Sequence, residues 1–286
     1  MPRIFFIFAI LLSSTVLIWK IFPQLTTSIN SRTLTLASTT SFSYTFDHTE
    51  ILQESESPEK STSPYWWLNS GGEMLLSNGR GSTLLGDTPS SSKWRLLYQK
   101  TNPRDTDDGL HPQNIFRLLT RHKWKNSEQS IDINIKKIYK SASENRNESN
   151  GVFLLGRYQN ADNLYYAGLR VDGNIAIKKK KNALYTILAV QPYFSSAQSY
   201  DRINRPNFLP INTWMGIKMQ IYTTPNGVEI VLFLDKNNTN EWKEVLRVQD
   251  NNDPILGAGS GGVRADFMDF EFDNFQVQGI DKDTNL

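Results

Sequence analysis

Hydrophobic and polar residues alternate with a period of two through much of this chain, most legibly in residues 164–181, LYYAGLRVDGNIAIKKKK. Such a period predicts antiparallel strands with one buried and one wet face. The segment predicts a β-hairpin whose loop is Val171-Asp172-Gly173, a type I turn with Gly173 in the left-handed region forming a bulge. Arg170 then lies opposite Asn174, Gly168 opposite Ala176, and Tyr166 opposite Lys178, while Leu169, Ala167, Ile175 and Ile177 make the core face. A two-residue Asp172-Gly173 turn would mix Ile175 and Ile177 with Arg170, so the three-residue loop is favoured. The wet face has a floor of small residues, Gly168 and Ala176, flanked by Tyr, Arg, Asn and Lys. That surface suits a sugar, whether or not the protein also cleaves one.

Other stretches divide their faces in the same way. Ile131, Ile133 and Ile135 point to one side of their strand, and Ile230, Leu232 and Leu234 to one side of another. In residues 214–221, Met215, Ile217, Met219 and Ile221 form a core face and leave Trp214, Gly216, Lys218 and Gln220 on the other. Further strands are expected at 41–46, from 65 onward, and at 94–99, 114–121, 130–139, 152–158, 185–191, 242–249, 262–267 and 268–278. Residues 50–64 look like an exposed loop. No amphipathic helix of a dozen residues is expected beyond the N-terminus. Many antiparallel strands with Gly, Asn and Pro turns predict an all-β, two-sheet antiparallel jelly-roll sandwich.

The first 22 residues follow a different pattern. Arg3 precedes the apolar run 4–19, IFFIFAILLSSTVLIW, which ends at Lys20 and reaches membrane length once Ile21 and Phe22 are included. No small-x-small cleavage site follows closely, so a signal anchor is preferred to a cleaved signal peptide. Either device leaves the N-terminus inside and exports the body to the cell surface or beyond. Residues 23–39 read as a Ser/Thr-rich linker, 40–280 as the jelly-roll domain and 281–286 as a tail.

Composition narrows the classes of partner. The 286 residues carry a formal net charge of +2, so no global charge argues for nucleic acid. Without cysteine there are no disulfides, thiol nucleophiles or cysteine metal sites, and an exported domain must rely on its core. No Gly-x-Ser-x-Gly elbow, phosphate loop or metalloprotease helix is present.

Three stretches together resemble the concanavalin A-like lectin/glucanase superfamily, the laminin-G-like jelly rolls. They are the YYAGLRVDGNIAIKKK hairpin, the NTWMGIKMQIY strand with its PNGVEIVLFLD return, and the closing GGVRADFMDFEFDNFQV. The resemblance covers roughly residues 40–280 in strand order. It implies two stacked, bent sheets with glycan on the concave one, and a last strand that pairs near the first, here SFSYTF. Its members include binding modules, glycoside hydrolases and polysaccharide lyases.

Candidate ligand-binding residues are those expected on the wet faces. Tyr166 and Trp214 would stack on sugar rings, Arg170, Lys178 and Lys218 would pair with carboxylate or sulfate, and Asn174 would hydrogen-bond. Arg117 and Arg157 join them, because an arginine in an apolar strand seldom faces a core unpaired. Lys179 to Lys181 read as a solvated strand end. The loop 102–114 is dense in carboxylates, and Asp105, Asp107 and Asp108 are candidates for Ca2+, although an ordinary Asp/Gly loop is favoured and no cofactor is required. Asp269, Glu271 and Asp273 are read as a solvated face. Asn147 and Asn237 head glycosylation acceptor triplets.

These residues predict an exported, membrane-tethered domain that binds an anionic polysaccharide. The alternatives are a polysaccharide lyase, in which Tyr166 or His111 exchanges protons beside arginine, a glycoside hydrolase, or a surface adhesion protein.

Overall fold

A computed structural model describes residues 41–194 and 198–280. The N-terminal anchor, its linker and the tail lie outside the described residues, and no helix among those described is long and apolar enough to cross a membrane. The strands, in chain order, are β1 (Ser41–Tyr44), β2 (Glu50–Gln53), β3 (Trp66–Ser70), β4 (Glu73–Ser77), β5 (Arg80–Thr83), β6 (Arg117–Trp124), β7 (Ser127–Ile138) and β8 (Gly151–Asn160). There follow β9 (Asn163–Arg170), β10 (Asn174–Lys181), β11 (Leu184–Pro192), β12 (Trp214–Thr224), β13 (Gly227–Asp235), β14 (Lys243–Asp250), β15 (Gly259–Ala265) and β16 (Met268–Gly279).

They form two antiparallel sheets. One runs β11-β10-β9-β8-β15-β6-β3, and the other runs β14-β13-β12-β7-β16-β5-β4-β2 with β1 added against β16. The first and last strands pair as expected, Phe42 opposite Val277 and Tyr44 opposite Phe275. Between the sheets lies one large core. The predicted inward rows meet there: Ile131, Ile133 and Ile135 of β7, Met215 to Ile221 of β12, Ile230 to Leu234 of β13, and Ala167, Leu169, Ile175 and Ile177 of the hairpin. Removing these apolar faces from water, at roughly 25 cal/mol per Å² of buried apolar area, is what holds a cysteine-free sandwich together.

Two local expectations are overturned. Residues 94–99 are not a strand: α1 (Lys93–Thr101) is a helix. Its N-cap, Ser92, accepts a bond from the Trp94 amide, and Trp94 and Tyr98 are buried one turn apart on one side. The segment 50–64 is not all loop, because Glu50 to Gln53 pair with β4.

Candidate functional site

The β9–β10 hairpin has the predicted register. Gly168 pairs with Ala176 and Tyr166 with Lys178, and Gly173 closes the loop at φ +84°, its amide donating to the Arg170 carbonyl at 3.0 Å. The hairpin therefore shows Tyr166, Gly168, Arg170, Asn174, Ala176 and Lys178 on the outer face of the seven-stranded sheet. Arg117 of β6 belongs to the same face, beside Arg264 of β15.

This face is more filled than alternation alone suggests. Leu119, Phe153, Leu155, Tyr158, Leu164, Tyr166 and Ala176 make a second buried apolar cluster on it, with Trp67 packed alongside. Gly168 makes room for backbone, not for ligand: a Cβ there would sit 2.2 Å from the Val152 carbonyl oxygen. Arg170 is only 6% exposed and is spent within the turn, pairing with Asp172 at 2.7 Å and reaching the Glu148 carbonyl at 3.4 Å. Asn174 donates to the same Asp172 carboxylate at 2.7 Å. Both residues brace the loop.

What remains open is a groove of about 690 Å³ over Phe153, Tyr166 and Lys178, walled by Tyr185 and Ile187 on one side and by Asn147 to Asn150 with Arg264 on the other. Lys178 sits at its centre. Its Nζ lies 3.9 Å from the Phe153 ring centroid and 5.7 Å from that of Tyr166, and donates to the Ser149 carbonyl at 3.0 Å. Among the described residues no carboxylate pairs with it. Burial above all, and then the nearby Arg264 and Arg170 charges, draw its pKa down to about 7 against the pull of Asp266 and Asp172. Arg264 is held by Asp266 at 2.7 Å. Arg117 stands beside the groove, its guanidinium bonded to the Tyr158 hydroxyl at 3.2 Å, and its Nε is buried with no hydrogen-bond partner among the described residues.

Tyr166 is 3% exposed, and burial pushes its phenol well above the usual range, with Tyr185 adding to the shift. A phenol so protected stays protonated at neutral pH, which suits a wall better than a base. His111 is not among the groove-lining residues. Its ring is clamped by Asp107 at 2.7 Å and Asp87 at 3.0 Å and lies 3.9 Å from the Tyr139 ring centroid. The neighbouring carboxylates are likewise occupied by the protein. Asp107 accepts from the Ser141 hydroxyl and Asn114, and Asp105 accepts from the Ser143 hydroxyl and Asn145. Asp108 is an exposed turn residue at φ +56°, and no group of metal-binding side chains occurs among the described residues.

Three expected groove residues lie elsewhere. Arg157 is 1% exposed and donates to the Lys125 and Ile255 carbonyls, Asn126 and Thr223. It follows the bulge in β8, where backbone φ of +48° breaks the alternation that would have turned it outward. Trp214 and Lys218 are on the other sheet, with Arg80 over the Trp214 ring at 5.6 Å and Lys218 over Trp242 at 4.5 Å. They cannot share a groove with Tyr166.

Two further readings change. Lys179 is buried, 6% exposed, and pairs with Asp250 at 2.9 Å, so it is no solvated end. Asp269 is also buried and accepts from Gln113, the Tyr139 hydroxyl and the Gly86 amide, whereas Glu271 faces Arg80 and Lys136. Arg264, Phe153 and Tyr185 were missed as site residues. The alternation Val263-Arg264-Ala265 carries the same signal that singled out Arg117.

No protein-family model matches the chain, and no curated protein matches its sequence. Solved structures do match. The acidic lectin of winged bean, complexed with methyl-α-D-galactose, aligns at TM-score 0.51 and 12% identity over 85% of this chain and 100% of its own. The basic winged bean lectin with Tn-antigen aligns at TM-score 0.49 and 9% identity, over 85% and 98% of the two chains. A carbohydrate binding module, CBM66 of Bacillus subtilis, aligns at TM-score 0.42 and 14% identity, over 74% and 94%. With its two stacked antiparallel sheets and the pairing of its first and last described strands, this protein has the concanavalin A-like jelly-roll fold.

Proposed function

We propose that this protein is an exported carbohydrate-binding domain that holds an anionic polysaccharide across the outer face of its seven-stranded sheet. The observation that carries the reading is Lys178, a desolvated ammonium on an aromatic floor with no carboxylate partner among the described residues, 3.9 Å from the Phe153 ring. Burying a cation without a counter-ion is costly, and a ligand carboxylate or sulfate would supply one. Arg264, paired with Asp266, adds a second cation in the groove, and the exposed Tyr185 offers a face for the apolar side of a sugar ring. The fold is one on which winged bean lectins carry sugars. Export and tethering are supported by the apolar run that precedes residue 23. Catalysis finds less support, since His111 does not line the groove and burial keeps the Tyr166 phenol protonated.

A glycan array of uronate-containing polymers, read for retention and for absorbance of unsaturated product, tests this reading. Retention without new absorbance, lost in Lys178→Met, is the expected result. Retention unchanged in that variant would remove the groove from the account, and absence of retention on every polymer would favour a surface protein that contacts other proteins.

A further inference from the structure

The nine-stranded sheet carries a groove of its own on its outer face, larger than the first at about 780 Å³. Its floor is a transverse row in which Asp132 of β7 and Asp235 of β13 both pair with Gly216 of β12 and so flank it. Trp242 stands over that glycine: a Cβ at residue 216 would fall 2.5 Å from the indole Cη2. The indole Nε1 donates to the Asn240 side chain at 2.8 Å, and one face of the ring is covered by the Lys218 ammonium at 4.5 Å. Across the groove, Asn274 donates to Asp132 at 2.9 Å, with Gln276 and Ser43 beyond it.

This groove lacks the paired cations of the first, in which Lys178 and Arg264 stand among Asp105, Glu148 and Asp266. Glu128, Asp132 and Asp235 line it against a single cation, Lys218, which Glu128 approaches at 3.6 Å. Burial above all, with Asp235 nearby, raises the Asp132 pKa, so the groove already resists negative charge. Carboxylates accept from hydroxyls, side-chain amides of Asn238, Asn274 and Gln276 donate to them, and the indole face away from Lys218 takes the C–H face of a ring. A uronate or sulfate would meet repulsion. An uncharged polyhydroxylated chain would meet none.

We infer that the outer face of the nine-stranded sheet is a second, independent glycan site, selective for neutral oligosaccharides. One molecule would then hold a neutral and an anionic polysaccharide on opposite faces, and so cross-link them. The neutral site does not depend on the first groove, because no residue lines both, whereas the cross-link rests on the function proposed for that groove.

The test is calorimetric titration of the intact protein with neutral hexasaccharides of glucose, xylose, mannose and galactose, and in parallel with a uronate hexasaccharide. At least one neutral probe is expected to bind, and Trp242→Ala to weaken it about tenfold, the size of a lost aromatic contact. Asn274→Gly, a change at an exposed side chain that tolerates its backbone φ of +50°, is expected to weaken the same probe several-fold, so the result does not hang on the folding of the tryptophan variant. Uronate binding should stay unchanged in both variants, and Lys178→Met should leave neutral binding intact. The inference is overturned if no neutral probe binds, or if both variants bind it as the parent does. It is equally overturned if calcium alone raises the melting temperature and Asp132→Asn removes that rise, which would make this a cation site. Neutral binding that survives alongside failed uronate binding would sink the first groove and leave the second standing.

Discussion

The Lys178 ammonium, enclosed by the Phe153 and Tyr166 rings and bonded only to the Ser149 carbonyl, has exchanged most of its water for two π-faces and one dipole. That loss is the main cause that draws its pKa down to about 7. In the unfolded chain a lysine keeps its proton to about 10.4, so between about pH 7 and 10.4 the unfolded state binds more protons than the folded one. Stability therefore gains from this residue as pH rises through that window, and below about pH 7 both states are protonated and the burial penalty is present in full. Lys178→Met should raise the stability of the free protein at pH 6 by on the order of 1 kcal/mol, measured by urea unfolding, and should flatten the rise toward pH 9. The same variant should lose anionic glycan. A bound carboxylate would raise the lysine pKa, so complex formation takes up a proton, and affinity should fall as pH climbs past 7. An affinity independent of pH from 6 to 9 would place the anion elsewhere.

At the scale of elements, the β9–β10 hairpin was legible in the sequence down to its register. Only one pairing puts Leu169, Ala167, Ile175 and Ile177 on a common side with Gly173 at positive φ. The role of its small residues was not legible, because the crowding at Gly168 comes from the backbone of β8, on the side of β9 away from β10, and alternation does not report it. Gly168→Ala should cost about 1–3 kcal/mol in urea, since the added methyl meets the Val152 carbonyl oxygen at 2.2 Å and strands β8 and β9 must part. A neutral result would mean the groove, not the neighbouring strand, dictates glycine. The four-lysine run hides a comparable surprise. Lys179 alternates inward, where Asp250 and the Asn252 and Asp253 carbonyls of the turn after β14 accept from it, and Tyr165 donates to the same Asp250 carboxylate. Lys179→Ala should destabilise by about 3–5 kcal/mol, because it leaves the Asp250 carboxylate buried and unpaired, whereas Lys180→Ala, whose partner Asp162 is exposed, should cost under about 1 kcal/mol. Helix α1 was missed for a related reason. WRLLYQ satisfies a period of two as well as an i,i+4 pair, and only the Ser92 cap decides between them.

For the whole molecule, alternation assigns a side chain to one face of its strand but does not say which sheet the strand joins. Tyr166 and Trp214 were thus expected in one groove and lie on opposite outer faces, an ambiguity that strand order alone resolves. Arg157 shows the opposite error. It was expected to meet ligand, and it fastens the two layers together. From the bulge of β8 its guanidinium reaches the β6–β7 turn at Lys125 and Asn126, Thr223 of β12 in the other sheet, and the Ile255 carbonyl ahead of β15. No neutral side chain can serve four acceptors in these directions, and lysine, with one nitrogen, cannot reach all of them. Arg157→Lys should cost on the order of 3 kcal/mol and Arg157→Ala more, the loss coming from buried acceptors left without donors. Because the residue spans both layers, fluorescence and far-ultraviolet circular dichroism should fall together in urea, at a lower midpoint and as one transition. A ligand role predicts the reverse: full stability with glycan binding lost. If the folded variant still binds anionic glycan with unchanged affinity, the groove consists of Lys178, Arg264 and their aromatic neighbours, and Arg157 serves only to keep the two sheets at the spacing that forms it.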